Sequence, residues 1–273
     1  MGINPIQYRP WKGERTALNL RVYVILKSIF RHGLKSTGVK ILLILAFLIV
    51  YAFQFVAALL FGHETLDAGE MSSNFNAVGL ALFAMLLTAV ITSGLISEDL
   101  SSKSFVLYFS RAIKTRDYLV GKAGGAILIM SLLCFLPPVL LAVVSILTQS
   151  GSDYWSSIKV LGSTVVAGAF VTVFFVPYGL MLSSLTKRRS YAAVGTFMSF
   201  FVLTIISGAF SEFDRAWRVI SPAESLSYAV DWIFGQSLPT YVNEGALFAF
   251  LASFIIIPAS VLYWRVQRQA VGK

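Results

Sequence analysis

Charge is what this sequence has least of. Only 13% of its 273 residues are Asp, Glu, Lys or Arg, about half of the roughly 25% typical of soluble domains. With a mean hydropathy of +0.77, the chain falls outside the ordinary soluble class. Its single cysteine, Cys134, sits inside an apolar run, which excludes a disulfide framework and a paired-thiol metal site. The two histidines, His32 and His63, are expected on opposite sides of a membrane and so cannot share a metal. There is no Walker A run, GxGxxG, HExxH or GxSxG. Nucleotide binding and catalysis therefore have no visible seat. The first long apolar run begins only near Ile41 and no small-residue cleavage site closes it, so no cleavable signal peptide is expected. Ile6 stands where a myristoylated N-terminus would need Ser or Thr.

What is present is a series of runs free of Asp, Glu, Lys and Arg: Ile41–Phe61, Ala77–Ser97, Ala123–Thr148, Val160–Thr186, Ser190–Phe210 and Ala246–Trp264. About 20 apolar residues carry a helix across a hydrocarbon core of about 30 Å, so all six qualify as spans. Pro137-Pro138 and Pro177 lie inside the third and fourth. Each proline removes a backbone hydrogen bond, so kinks are expected there. The fold class expected is all-α integral membrane, with six transmembrane helices in one domain over residues 1–273.

The net charge of +9 is not spread as a nucleic-acid footprint. Nineteen Lys and Arg lie before the first run, in Glu98–Lys122, at Lys187-Arg188-Arg189 and in the tail, whereas the alternate loops hold only Lys159, Arg215 and Arg218 among nine acids. Basic loops face the cytoplasm. Both termini are therefore expected inside, in a multi-pass protein of the cell membrane, with membrane lipid and no nucleic acid as surroundings.

Three pieces lie outside the spans. Within residues 1–38, Arg15–Lys35 repeats Leu18, Val22, Ile25, Leu26 and Ile29 at helical spacing, with Arg21, Ser28, Arg31 and Lys35 on another face. Such a helix is expected to lie in the headgroup plane. The outer stretch 211–245 contains Ser221-Pro222-Ala223-Glu224, a capping box with proline at the first helical position. The helix it opens should close near Gly235, about 20 Å on, too short to cross. With Trp217, Tyr228, Trp232 and Tyr241 at hand, one or two short re-entrant helices are expected before the last span; a cap on the surface fits the periodicity equally. Loop 98–122 opens with Glu98-Asp99 under the second span, continues through Leu100, Phe105, Leu107 and Tyr108, and passes Arg111 to Thr115, a candidate cap for the third helix. Mixed charge at a membrane exit suits docking to a cytoplasmic partner, although charge runs are usually solvated faces. Glu64, Asp67 and Glu70 read as a solvated acidic loop in preference to a cation site.

The spans offer hydroxyls and no ionisable groups. Thr88, Thr92, Thr196 and Ser199 are the candidates for lining a pathway, although such hydroxyls more often bond a helix carbonyl. Proton- or ion-coupled carriers need buried titratable groups or broken-helix sites, so the energy source is expected elsewhere.

At loop two the string Ile96 to Lys122 resembles the cytoplasmic loop of permeases in the type-2 ABC exporter family. It shares an acidic pair (Glu98-Asp99), an LYxSR run (Leu107-Tyr108-Phe109-Ser110-Arg111), Tyr118 and a Gly-Lys pair (Gly121-Lys122); Ala112 stands where many relatives have proline. The resemblance implies a permease with no ATPase of its own, paired with a second copy or a similar permease. It implies too that a nucleotide-binding subunit, carrying ATP and Mg, grips a coupling helix formed by this loop. On it, Glu98, Asp99, Leu100, Phe105, Leu107, Tyr108 and Arg111 are the coupling residues. The expected function is export of an amphipathic, lipidic or peptide cargo. The alternatives are an ATP-independent secondary transporter or channel, or a membrane scaffold.

Overall fold

The computed structural model describes residues 20–61, 67–76, 78–104, 113–149 and 154–271. Among these no strand occurs, and six helical stretches are long and apolar enough to cross a membrane: Thr37–Leu60, Gly79–Ser101, Thr115–Thr148, Tyr154–Leu185, Arg189–Ser211 and Glu244–Gln269. The protein is an all-α integral membrane protein. The helices outrun the charge-free segments because charge limits burial in hydrocarbon, not helix formation. The third begins at Thr115, with Asp117 favourably placed in its first turn. Thr115 itself is not the cap. Lys114 holds that position, in extended conformation and with no side-chain capping bond.

Proline follows directly on two interruptions. The third span breaks at Phe135, and its second half starts with Pro137 and Pro138 in the first turn, where their missing N–H groups cost least. The fourth breaks at Phe175, with Pro177 beginning Val176–Leu185 in the same way. The turn at Phe174-Phe175 feeds an aromatic core. Phe174 stacks on Phe254 at 4.9 Å, Tyr178 on Phe254 at 4.8 Å, and Phe175 meets Phe200 edge-on at 5.3 Å. These rings join the fourth, fifth and sixth spans. The first span has a different irregularity, a π-helical turn at Phe47–Tyr51.

The second span is the axis of the bundle. Its apolar window is 61% buried, against 17% for the fifth span and 22% for the first. Gly179 of the fourth span lets the two backbones approach, since a Cβ there would collide with Thr92 Oγ1.

The amphipathic helix Arg21–Lys35 does not lie across the bundle. Ile25 covers Gly121, Ile29 covers Gly125 and Gly33 faces Ile129. Each step of four on one helix is matched by a step of four on the other, so this helix runs alongside the third span in the same direction. A helix crossing the third span at right angles would not hold that register. Its apolar face meets a glycine stripe (Gly121, Gly124, Gly125) in place of lipid, while Tyr23 and Val24 stay exposed.

At the opposite end, Ser221 caps helix Pro222–Ile233 by accepting from the Glu224 N–H at 3.5 Å, and Gly235 closes it at φ +73°. Twelve residues make a helix of about 18 Å. It follows a 3₁₀ turn, Arg215–Ile220, and packs against helix Ala68–Asn76 and the sixth span.

Candidate functional site at the end of the second span

Glu98 and Asp99 close the second span, and each holds a basic partner on another span, Asp99 under cover and Glu98 at the surface. Asp99 sits beside Lys122 of the third span, with Nζ 2.9 Å from Oδ2, and accepts a hydrogen bond from the Tyr118 hydroxyl. The side chains of the pair are only 14% and 9% exposed. Lys122 also donates to the Leu95 carbonyl and lies over the Tyr118 ring. This satisfies a charge that would otherwise be costly to bury. Glu98 reaches the other way, to Arg189 at the start of the fifth span, 3.2 Å away and open to solvent.

Further ties meet the same helix end. One turn deeper, the Ser183 hydroxyl of the fourth span donates to the Ser93 carbonyl at 2.9 Å and accepts from the Ser97 N–H at 3.2 Å. Arg265 of the sixth span donates to the Ser184 carbonyl at 2.6 Å, a cation at a helix C-terminus. The last turn of the second span is therefore bonded directly to the third, fourth and fifth spans, and through Ser184 to the sixth. Beyond it the helix ends at Ser101, and Lys103 takes a left-handed φ of 54° while the Ser104 N–H returns to the Asp99 carbonyl at 3.1 Å. That is a Schellman-type stop, and it sets the direction in which loop two leaves the bundle.

Of the proposed coupling residues, Glu98 and Asp99 belong to this ionic node, and Leu100 packs partly buried against the core. Phe105, Leu107, Tyr108 and Arg111 lie outside the described residues. Thr88 and Thr92 are wholly buried and donate to the Ala84 and Thr88 carbonyls at 2.7 and 2.8 Å. Thr196 is likewise buried and donates to the Ala192 carbonyl, and the partly exposed Ser199 donates to that of Thr196. The chain's own packing covers the three threonines. Sequence reasoning missed the partners of the acidic pair, which are tertiary, and the glycine stripe, which was visible as G-x-x-x-G from Gly121 to Gly125.

Six helices of this length and composition are those of a multi-pass membrane protein. The profile of the ABC-2 family transporter proteins matches residues 23–271, and the chain belongs to that family. No curated protein matches the sequence. Membership makes the chain a multi-pass permease subunit of an ABC transporter. It is a transport subunit and not itself an enzyme, of a kind that associates with an ATP-binding subunit.

Proposed function

We propose that this permease is the membrane half of an ATP-driven exporter in the cell membrane, with its basic end and both termini in the cytoplasm. A separate subunit binds ATP and Mg there and grips loop two. The observation that carries this reading is the node itself. Loop two leaves the bundle from a helix end bonded to three other spans, so a push on that loop is delivered to the whole bundle and not to one helix. A second copy, or a similar permease, faces the poorly covered first or fifth span. Cargo passes between the two permeases.

The cargo class is amphipathic, lipidic or peptide. Support comes from a cavity of about 350 Å³ between the outer ends of the second and fifth spans, walled by Leu82, Met85, Phe197 and Phe201 and edged by Ser221 and Glu224. Apolar walls with a few polar groups at one side suit an amphiphile better than a small ion.

The test is reconstitution in proteoliposomes with the co-purified ATP-binding subunit. Fluorescent lipid and amphipathic peptide probes should accumulate on the far side only with hydrolysable ATP. Movement at the same rate without nucleotide would replace the exporter reading with that of a channel or secondary carrier.

A further inference from the structure

Beside the ionic node lies a cavity of about 690 Å³ that the transport cycle proposed above does not use. It is bounded by the amphipathic helix, the start of the first span, and the second and third spans. Its lining is graded. Val39, Ile91 and Ile129 make the deep end; Ile91 stands about two turns further in than Glu98, and Ile129 about two turns further in than Lys122. The mouth is ionic, with Glu98 and Arg189 in the wall, and His32, level with Ile129 on the amphipathic helix, adds one polar group further in. A simple ion has no use for the apolar end, and a plain hydrocarbon none for the charged one. The occupant is an amphiphile, held with its polar head toward the basic end of the bundle.

The mouth also selects the charge of that head. Asp99 and Lys122 are engaged with each other and nearly covered, but the side chains of Glu98 and Arg189 are 60% and 54% exposed and stand 3.2 Å apart. They offer one accessible carboxylate and one accessible guanidinium side by side. An anionic head would satisfy Arg189 and meet Glu98 as a like charge, and a cationic head would do the reverse. A head carrying both signs satisfies both. We propose that this cavity binds a zwitterionic phospholipid from the adjoining leaflet, its phosphate on Arg189 and its ammonium on Glu98. The guanidinium fork matches phosphate geometry, and charge-assisted bonds of both signs add to the ion pair, since more than half of each side chain is free. The exposed bases of the amphipathic helix attract anionic surfaces without discrimination; the pocket discriminates because it contains an acid as well.

Native mass spectrometry of the full chain in detergent, without any ATP-binding subunit, tests this apart from the exporter reading. Phosphatidylethanolamine should be retained at roughly tenfold lower concentration than phosphatidylglycerol, the ratio that one well-formed charged contact supplies. Glu98→Gln should erase the preference, and Ile91→Trp, which fills the deep end, should lower retention of both lipids. Ser28→Trp fills the same cavity from the amphipathic helix, should Ile91→Trp not fold; if neither folds, the Glu98→Gln comparison decides. Equal retention of the two lipids by the unaltered protein would overturn the proposal, as would undiminished retention in a folded filled variant. Displacement of the lipid by inorganic phosphate would show that the site takes a free anion, and would overturn it too.

Discussion

Arg189, the first residue of the fifth span, holds Glu98 at the end of the second with Nη1 3.2 Å from Oε1, across 91 positions of sequence. Both side chains are more than half exposed. Such pairs contribute only about 0–1 kcal/mol to stability, so the consequence to look for is in coupling. Glu98→Arg should leave the melting temperature nearly unchanged and reduce cargo-stimulated ATP hydrolysis by the complex. The exchange Glu98→Arg with Arg189→Glu should restore much of it. Equal hydrolysis in all three would show that the contact relays nothing.

Asp99 and Lys122 behave differently because they are buried. Removing one partner of a buried pair costs about 3–5 kcal/mol, whereas replacing both by apolar or neutral groups is often tolerated. Lys122→Met should therefore sharply lower the stability of the detergent-solubilised protein in thermal unfolding, and Asp99→Asn in the same chain should recover much of the loss. A single variant as stable as the parent would mean that the pair is solvated.

The glycine stripe under the amphipathic helix gives a packing test. A Cβ at Gly121 or Gly125 would lie 2.8 or 2.7 Å from Ile25 or Ile29, whereas one at Gly162 meets nothing within 4 Å. Gly125→Leu should displace the helix and cost about 1–3 kcal/mol by overpacking. Gly162→Ala should be neutral or stabilising by up to about 1 kcal/mol, since helix interiors disfavour glycine. Proteolysis between the amphipathic helix and the first span would report the displacement directly. Protection identical to the parent in Gly125→Leu would refute the close packing.

How much of this was legible in the sequence follows from the range of the forces involved. Charge-free runs, prolines and the Ser221 capping box act locally, so the six spans, the breaks near Phe135 and Phe175 and the helix ending at Gly235 could be read from residue order. The partners of Glu98 and Asp99 depend on which helices pack together, and no local pattern encodes Arg189 beside Glu98. The amphipathic helix was visible by its period, but periodicity says which face is apolar and not what covers it. Only the G-x-x-x-G at Gly121 points to a helix as the partner. Thr88 and Thr92 share a helix face that the sequence shows, and the structure turns that face onto Gly179.

At the end of the bundle opposite the ionic node, Tyr228 donates to Glu224 Oε2 at 3.2 Å and lies 3.4 Å from the Tyr241 hydroxyl. Burial first, then the hydrogen bond with Tyr241 and the charge of Glu224, push its phenol well above the ordinary value. The folded state thus favours the protonated form. The stability this gives is fully present below the unfolded phenol's value of about 10 and is lost as pH rises from there through the higher folded value. Subtracting the phenolate absorbance of Tyr228→Phe from that of the parent should leave no ionisation near pH ~10 and a late rise above it. A difference curve centred at the ordinary phenol value would show that Tyr228 is open to water.

In the proposed exporter, loop two is the surface gripped by the ATP-binding subunit. A photo-crosslinking residue in place of Tyr108, in a complex purified from cells, tests it without any knowledge of the cargo. A buried aromatic anchor is the kind of residue such a contact uses. A crosslink to the ATP-binding subunit is expected from position 108 and none from Trp232 at the opposite end. An ATP-binding subunit that co-purifies but crosslinks from neither position, or from Trp232 alone, would contradict it.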